Sequence, residues 1–356
     1  MRELDRAQRN AEKASIREHF ESRLREAEEA NREVTQTLDE LSKILAHTLA
    51  VEDTIAFDDL RLREPFPPPV IPDELTKPPT APQKETFIGT VKAPGFLGRL
   101  IPGSGARHEN ELRKANATYA EAVQRHEAVT QSRDVKLRDI HETYEKEQLE
   151  HLERVRQRDR EVDEFRSAYE RGESQAISSY CTMVLERSEH PDGFPQDFLV
   201  AYIGDSRELV IEYQMPTVEI IPSVSEFRYV KSRDSIEEKQ RRPNQVRELY
   251  LDVVASVCLR SIHEVFEADQ HSHLASVVFN GFIHGIDPAT GRDAHVHFIS
   301  VRAPRDPFLA INLARVDMES CLRNLGARIS SKPEALQTVL PFVHLDTEEE
   351  GEGEES

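Results

Sequence analysis

The chain has 356 residues, with 46 Lys and Arg against 66 Asp and Glu, a formal charge of −20, 38% hydrophobic residues and no Trp. This acidic balance argues against a surface that coats nucleic acid, since such binding draws on cations that neutralise phosphates. No apolar run approaches the roughly 20 residues that cross a bilayer, and the N-terminal MRELDRAQRNAEK alternates charge without an apolar segment. A cytoplasmic protein with no leader and no membrane partner is expected.

Residues 1–52 carry Leu24, Ala27, Val34, Leu38, Leu41 and Leu45 at alternating three-and-four spacing, with Asn31 as a polar member. This is the seam of a coiled-coil arm. Residues 53–107 hold Pro65, Pro67, Pro68, Pro69, Pro72, Pro78, Pro79 and Pro82, which remove backbone donors and predict a semi-rigid, non-helical linker. It ends in a Gly-rich apolar turn where Phe96, Leu97, Leu100 and Ile101 need burial. The absence of GxxxxGK[ST] makes that turn a structural cap rather than a phosphate cradle.

Residues 108–172 continue an interrupted seam through Leu112, Tyr119, Val123, Leu137, Ile140, Tyr144, Leu152, Val155, Val162, Phe165 and Tyr169. As one helix this second arm extends about 95 Å at about 1.5 Å per residue. Coiled coils of this kind make homo-oligomers or intramolecular hairpins, and the seam suits either.

Residues 173–345 read as an α+β module. Gln175–Glu189 is a short helix, and Phe198–Ile203 and Glu208–Tyr213 form a hairpin around Gly204, Asp205 and Ser206. Phe227–Lys231 is a third strand, followed by a polar connection, SRDSIEEKQRRPNQ, and a helix over Pro243–Asp269 with apolar positions broad enough for burial. Val277–Ile286 and His295–Val301 flank a DPATGR turn, Asp287–Arg292. Ala310–Leu313 reads as a short strand and Asp317–Leu325 as a helix closed by Gly326. This order predicts a long N-terminal helical coiled-coil rod followed by a compact domain with a mainly antiparallel sheet. Residues 346–356, an acidic tail, are too polar and self-repelling to pack.

Cys181, Cys258 and Cys321 are widely separated in apolar helical contexts with no CxxC pair, and are expected as reduced core residues. His284, His295 and His297 fall across one predicted hairpin, with His295 and His297 on one face. They are the candidate metal ligands, though no carboxylate is fixed beside them by the sequence; no cofactor is expected. Glu237-Glu238-Lys239 matches a short nuclease pattern but falls in the polar connection. No catalytic residue is assigned. Arg228, Lys231, Arg233, Arg241, Arg242, Arg302 and Arg305 are the candidate nucleic-acid contacts, diluted by Asp234, Glu237 and Glu238.

Several stretches together carry a family likeness: PGFLGRLIPG, then GFPQDFLVAYIGDSRELVIEYQMPTVEIIPSVSEFRYVKSRDSI, RPNQVRELYLDVVASVCLRSIHEVFEAD, VVFNGFIHGIDPATGR and INLARVDMESCLRNLGARISSKP. The chain resembles, over residues 1–345, the N-terminal non-catalytic region of actinobacterial Mrr-type restriction-system proteins. In those proteins a coiled-coil arm and an α+β module precede a PD-(D/E)xK endonuclease domain. The nuclease's Gly-Gly-Val-Asp-like stretch and Gln-Ala-Lys-like strand have no counterpart in this sequence, so none of its catalytic residues can be assigned, and the acidic ending is expected to be natural. The resemblance implies a non-catalytic oligomerisation or recognition protein of anti-phage defence. It would act as a homo-oligomer, through a protein partner such as a separate nuclease or through DNA. The alternative is a nucleic-acid-processing enzyme with a divergent metal-dependent site.

Overall fold

A computed structural model describes residues 2–92, 103–286, 291–330, 332 and 337–345. The expected Gly-rich turn with Phe96, Leu97, Leu100 and Ile101, positions 287–290 of the DPATGR turn and the acidic tail lie outside the described residues. The protein is mixed α and β. Its helices are α1 (Arg2–Ser42), α2 (Ile44–Thr48), α3 (Asp73–Thr76), α4 (Lys84–Ile88), α5 (Ser104–Glu170), α6 (Ser174–Glu186), α7 (Pro243–Ala268), α8 (Arg305–Leu309) and α9 (Met318–Asn324). Its strands are β1 (Phe198–Ile203), β2 (Glu208–Gln214), β3 (Val224–Val230), β4 (Ser235–Gln240), β5 (Ser276–Ile286), β6 (Asp293–Pro304) and β7 (Arg328–Ile329). Among the described residues no helix is long and apolar enough to cross a membrane. Two compact units form: residues 1–59 with 163–356, and residues 60–162.

In the first unit a five-stranded sheet runs in the order β1-β2-β5-β6-β7. Every pair is antiparallel except β2 with β5, and that parallel pair is joined through α7, as a parallel connection requires a crossover. Leu209, Ile211, Val277, Phe279, Ile299 and Val301 are wholly buried, and alternation puts them on one face of the sheet. Helix α7 opens with Pro243, whose missing N–H would be unpaired there anyway. It buries Val254, Val257, Leu259 and Ile262, on more than one face, as a helix at the centre of a core does. Tyr250 of α7 stacks on Phe298 of β6, ring centroids 6.1 Å apart. The three cysteines are free and buried, and burial pushes the Cys181 and Cys258 thiols well up, away from reactive thiolate.

Two segments of this unit differ from the sequence reading. The polar stretch SIEEKQ is strand β4, paired antiparallel with β3 in a separate two-stranded ribbon. Its charged residues are tolerated because the ribbon keeps one side in water. The ribbon's other side is held to α1, where the Asn31 amide donates to the Phe227 carbonyl and accepts from the Phe227 N–H, both at 2.8 Å. The polar member of the expected seam therefore reads a strand backbone, and α1 belongs to the same unit as the sheet. The expected strand at Ala310–Leu313 is instead the turn that leaves α8 and the start of a 3₁₀ turn at Leu313–Arg315. Gly326 does stand at φ +78° just after α9, the left-handed position glycine favours.

In the second unit the proline-rich segment is more than a linker. It contains α3 and α4 and is laid along α5, which begins at Ser104. Arg158 Nε donates to Leu60 O at 2.8 Å and Arg133 Nε to Leu75 O at 3.1 Å. The Phe66 ring lies 5.2 Å from Tyr144, and Phe87 lies 5.7 Å from Tyr119. The segment thus runs antiparallel to α5 and covers Tyr119 and Tyr144, two positions of the expected helix–helix seam. Prolines suit this role, because an extended chain without internal hydrogen bonds lies flat along a helix groove.

Candidate functional site

Glu208 and Glu212 on β2, Ser276 and Asn280 on β5, and Ser300 and Arg302 on β6 share the sheet face opposite the apolar one, by register and alternation. His297 and His295 differ in parity from Ser300, so a regular strand would turn them to the opposite side. The register instead steps from Gly281 opposite Ile299 to Phe282 opposite His297. This bulge spends Phe298 as an extra residue and returns His297 and His295 to the polar face. Gly281 marks the step: a Cβ there would lie 2.5 Å from Ile299 Cγ2 and 3.0 Å from Met215 Cγ.

The polar groups of this face partner one another. Asn280 Nδ2 donates to Glu212 Oε1 at 2.8 Å, and Ser300 Oγ donates to Asn280 Oδ1 at 2.7 Å. His297 Nε2 stands 2.8 Å from Glu212 Oε2. Arg302 pairs with Glu208 at 2.9 Å, and Ser276 Oγ donates to Glu208 Oε1 at 2.9 Å. Glu208, Glu212, Asn280, Ser300 and His297 are all buried, so their mutual satisfaction is what makes this face stable.

The chain's own segment 337–345 lies against His297, Ser300 and Asn280 of this face. Val339 N donates to His297 O at 2.7 Å, Phe342 N to Ser300 Oγ at 3.0 Å, and Asn280 Nδ2 to Val343 O at 2.7 Å. The Phe342 ring takes the guanidinium of Arg328 at 4.0 Å and that of Arg302 at 5.6 Å. These contacts bring the exposed His344 ring to 5.5 Å from His297, nearly perpendicular to it. Glu212, His297 and His344 each have a ligand atom within 4.8 Å of the others'.

The three histidines singled out by spacing do not converge on one point. His284 and His295 form a pair 4.4 Å apart, and Phe282 stacks on His295 at 4.9 Å and 3°. Phe282 stands opposite His297 in the register and fills the space between it and His295. Partial burial, then His284 and His297, push the His295 imidazole below its ordinary value. Among the described residues only His297 of the three joins a carboxylate, and the groups sequence reasoning missed are Glu212 and His344. Glu212 lies in EYQ within a strand, and His344 sits between Val343 and Leu345 in the last apolar stretch of the chain; neither position announces that it meets His297.

The remaining candidates divide. Glu237 and Lys239 stand on β4 rather than in a loop, yet Glu237 pairs with Arg233 and Lys239 with Glu226 at 3.2 Å, each taken by a different charge. Arg305 Nη1 donates to buried Asp269 Oδ2 at 2.7 Å, and its Nη2 donates to Asp269 O at 3.0 Å. Arg305 is therefore an internal anchor, and Arg302, although exposed, has its charge answered by buried Glu208. Arg241 Nε is held by Pro222 O at 3.1 Å, and Lys231 sits over the Phe20 ring at 5.1 Å. Arg228 and Arg242 are exposed. Comparison with protein-family models, curated proteins and solved structures returns no match.

Proposed function

We propose that this chain is a non-catalytic recognition and assembly protein, comparable to the regulatory half of an Mrr-type restriction system, in which copies pair through α5 as a coiled coil. The observation that carries the reading is on α5 itself. The proline-rich segment covers one stripe of the helix, while Val135, Leu149 and Leu152 stay exposed. Their spacing in the sequence, two heptads and then an a-to-d step, places them on one seam. A second copy of the chain meets that seam with the same spacing. The exposed Arg228 and Arg242 of the ribbon region offer a site for an acidic partner, protein or DNA.

Light scattering coupled to size-exclusion chromatography tests this on the whole chain, alone and with duplex DNA at low and moderate salt. The expected result is an oligomer that Leu149→Glu with Leu152→Glu converts to a monomer. A monomer throughout overturns the assembly reading. A DNA-induced shift that weakens steeply with salt would identify the acidic partner as DNA, bound through its phosphates.

A further inference from the structure

We infer that Glu212, His297 and His344 form a binding site for a Zn²⁺-like transition-metal ion, and that the ion clasps segment 337–345 to the polar face of the sheet. This goes beyond the assembly reading and does not depend on it.

The donor set selects the ion class. Two imidazoles and one carboxylate are borderline ligands, suited to zinc and its neighbours rather than to Mg²⁺ or Ca²⁺, which take mostly oxygen. The distances are those of a site that needs little closing. Ligands about 2.0–2.1 Å from one tetrahedral ion stand about 3.3 Å apart; Glu212 Oε2 and His297 Nε2 are 2.8 Å apart, and all three donors lie within 4.8 Å. Slight parting of the first two and rotation of the exposed His344 ring complete the geometry. Three protein ligands leave a fourth position for water on the side where His344 meets solvent.

Two features beyond the ligands support the inference. Asn280 holds Glu212 Oε1 at 2.8 Å, which leaves Oε2 directed at the imidazole, the role an outer-shell amide takes around a metal carboxylate. His344 is also placed by construction. The contacts of Phe342 N with Ser300 Oγ and of Val343 O with Asn280 Nδ2 fix the two residues before it. Ser300, Asn280 and Glu212 form one hydrogen-bonded chain, so the groups that register the segment also orient the carboxylate. An ion shared by β2, β6 and the segment would tie the segment down beyond the main-chain contacts it makes with His297, Ser300, Asn280 and Arg328 and the packing of the Phe342 ring.

The test titrates Zn²⁺ into the full chain stripped of metal by chelator, read by calorimetry and by hydrogen exchange over 337–345. One ion per chain is expected, with exchange in the segment slowed. His344→Ala, an exposed position that leaves the sheet intact, and Glu212→Gln, which keeps the Asn280 contact, should each weaken binding at least about tenfold. His284→Ala and His295→Ala should leave it unchanged. Absence of binding, binding indifferent to both His344→Ala and Glu212→Gln, or binding lost with His284 and His295 instead would overturn the assignment. One-to-one binding without slower exchange in 337–345 would overturn the clasp.

Discussion

Thr48 stands between two carboxylates and can donate to one at a time; its hydroxyl lies 2.9 Å from Glu264 Oε1 and 3.2 Å from Asp53 Oδ2. Glu264 is buried but has its charge answered by Arg260 Nε at 2.6 Å and by Ser188. Asp53 faces Glu264 and Glu267 instead. Burial first, then Glu264, push its carboxyl up to about 7, against the lowering effect of Thr48. A carboxyl whose pKa is raised by folding holds its proton more tightly in the folded state. Its contribution to stability is full below the ordinary value near 3.8 and is lost as pH rises through about 7. Asp53→Asn should therefore stabilise the protein by an amount that grows from pH 5.5 to pH 8, on the order of 1 kcal/mol once solvent screening of this half-exposed group is allowed for. Urea midpoints of parent and variant at the two pH values measure it, and an equal difference at both would refute the assignment. Residue-scale legibility followed locality. Cysteine burial could be read from apolar context, and His295 and His297 from alternation. The meeting of Glu212 with His297 depends on a parallel pairing between β2 and β5, distant in sequence, and on a bulge that reverses side-chain parity, and neither leaves a local mark.

At the scale of elements, periodicity located most helices and strands, while composition misled about their partners. The hydrophobic stripe of α5 was legible as a seam, but a stripe says only that something covers it. Along 60–92 the occupant is the chain's own proline-rich strap, whose Phe66 and Phe87 rings supply the apolar surface a partner helix would otherwise give. SIEEKQ failed as a strand on composition because it has little to bury; pairing to β3, which itself is read by Asn31, holds it in place. The strap reading makes a local prediction. Phe66→Ala removes the contacts with Tyr144 and His151, and the partly buried ring is worth about 1–2 kcal/mol. Hydrogen exchange in 60–80 should quicken by roughly tenfold, with the sheet of the other unit unaffected. Unchanged exchange in the strap would mean that the backbone contacts from Arg133 and Arg158 hold it without the ring.

For the whole molecule, the change from charged helix to alternating strands was legible, but the division of the chain into its two compact units left no local mark. Residues 1–59 belong with 163–356, so the chain leaves the first unit and returns to it. Phe57, just before the exit, packs on Phe165, just after the return, with ring centroids 5.5 Å apart, and on Tyr169 and Tyr180. The buried contacts Ile55 N to Tyr180 Oη and Tyr169 Oη to Asp269 secure both sides of this junction. Chain ends so close are the condition under which an inserted unit can be removed without straining its host, and closing a short flexible loop in its place costs little because loop entropy varies slowly with length. Replacing residues 60–162 with a short Gly-Ser linker should therefore leave a folded α+β protein that unfolds cooperatively and keeps the near-ultraviolet signal of its tyrosines. The same variant lacks Val135, Leu149 and Leu152, so it should also be monomeric if copies pair through α5. A folded variant that remains oligomeric would move the assembly surface to the sheet unit, and a variant that fails to fold would show that the excursion supplies stability the junction contacts do not.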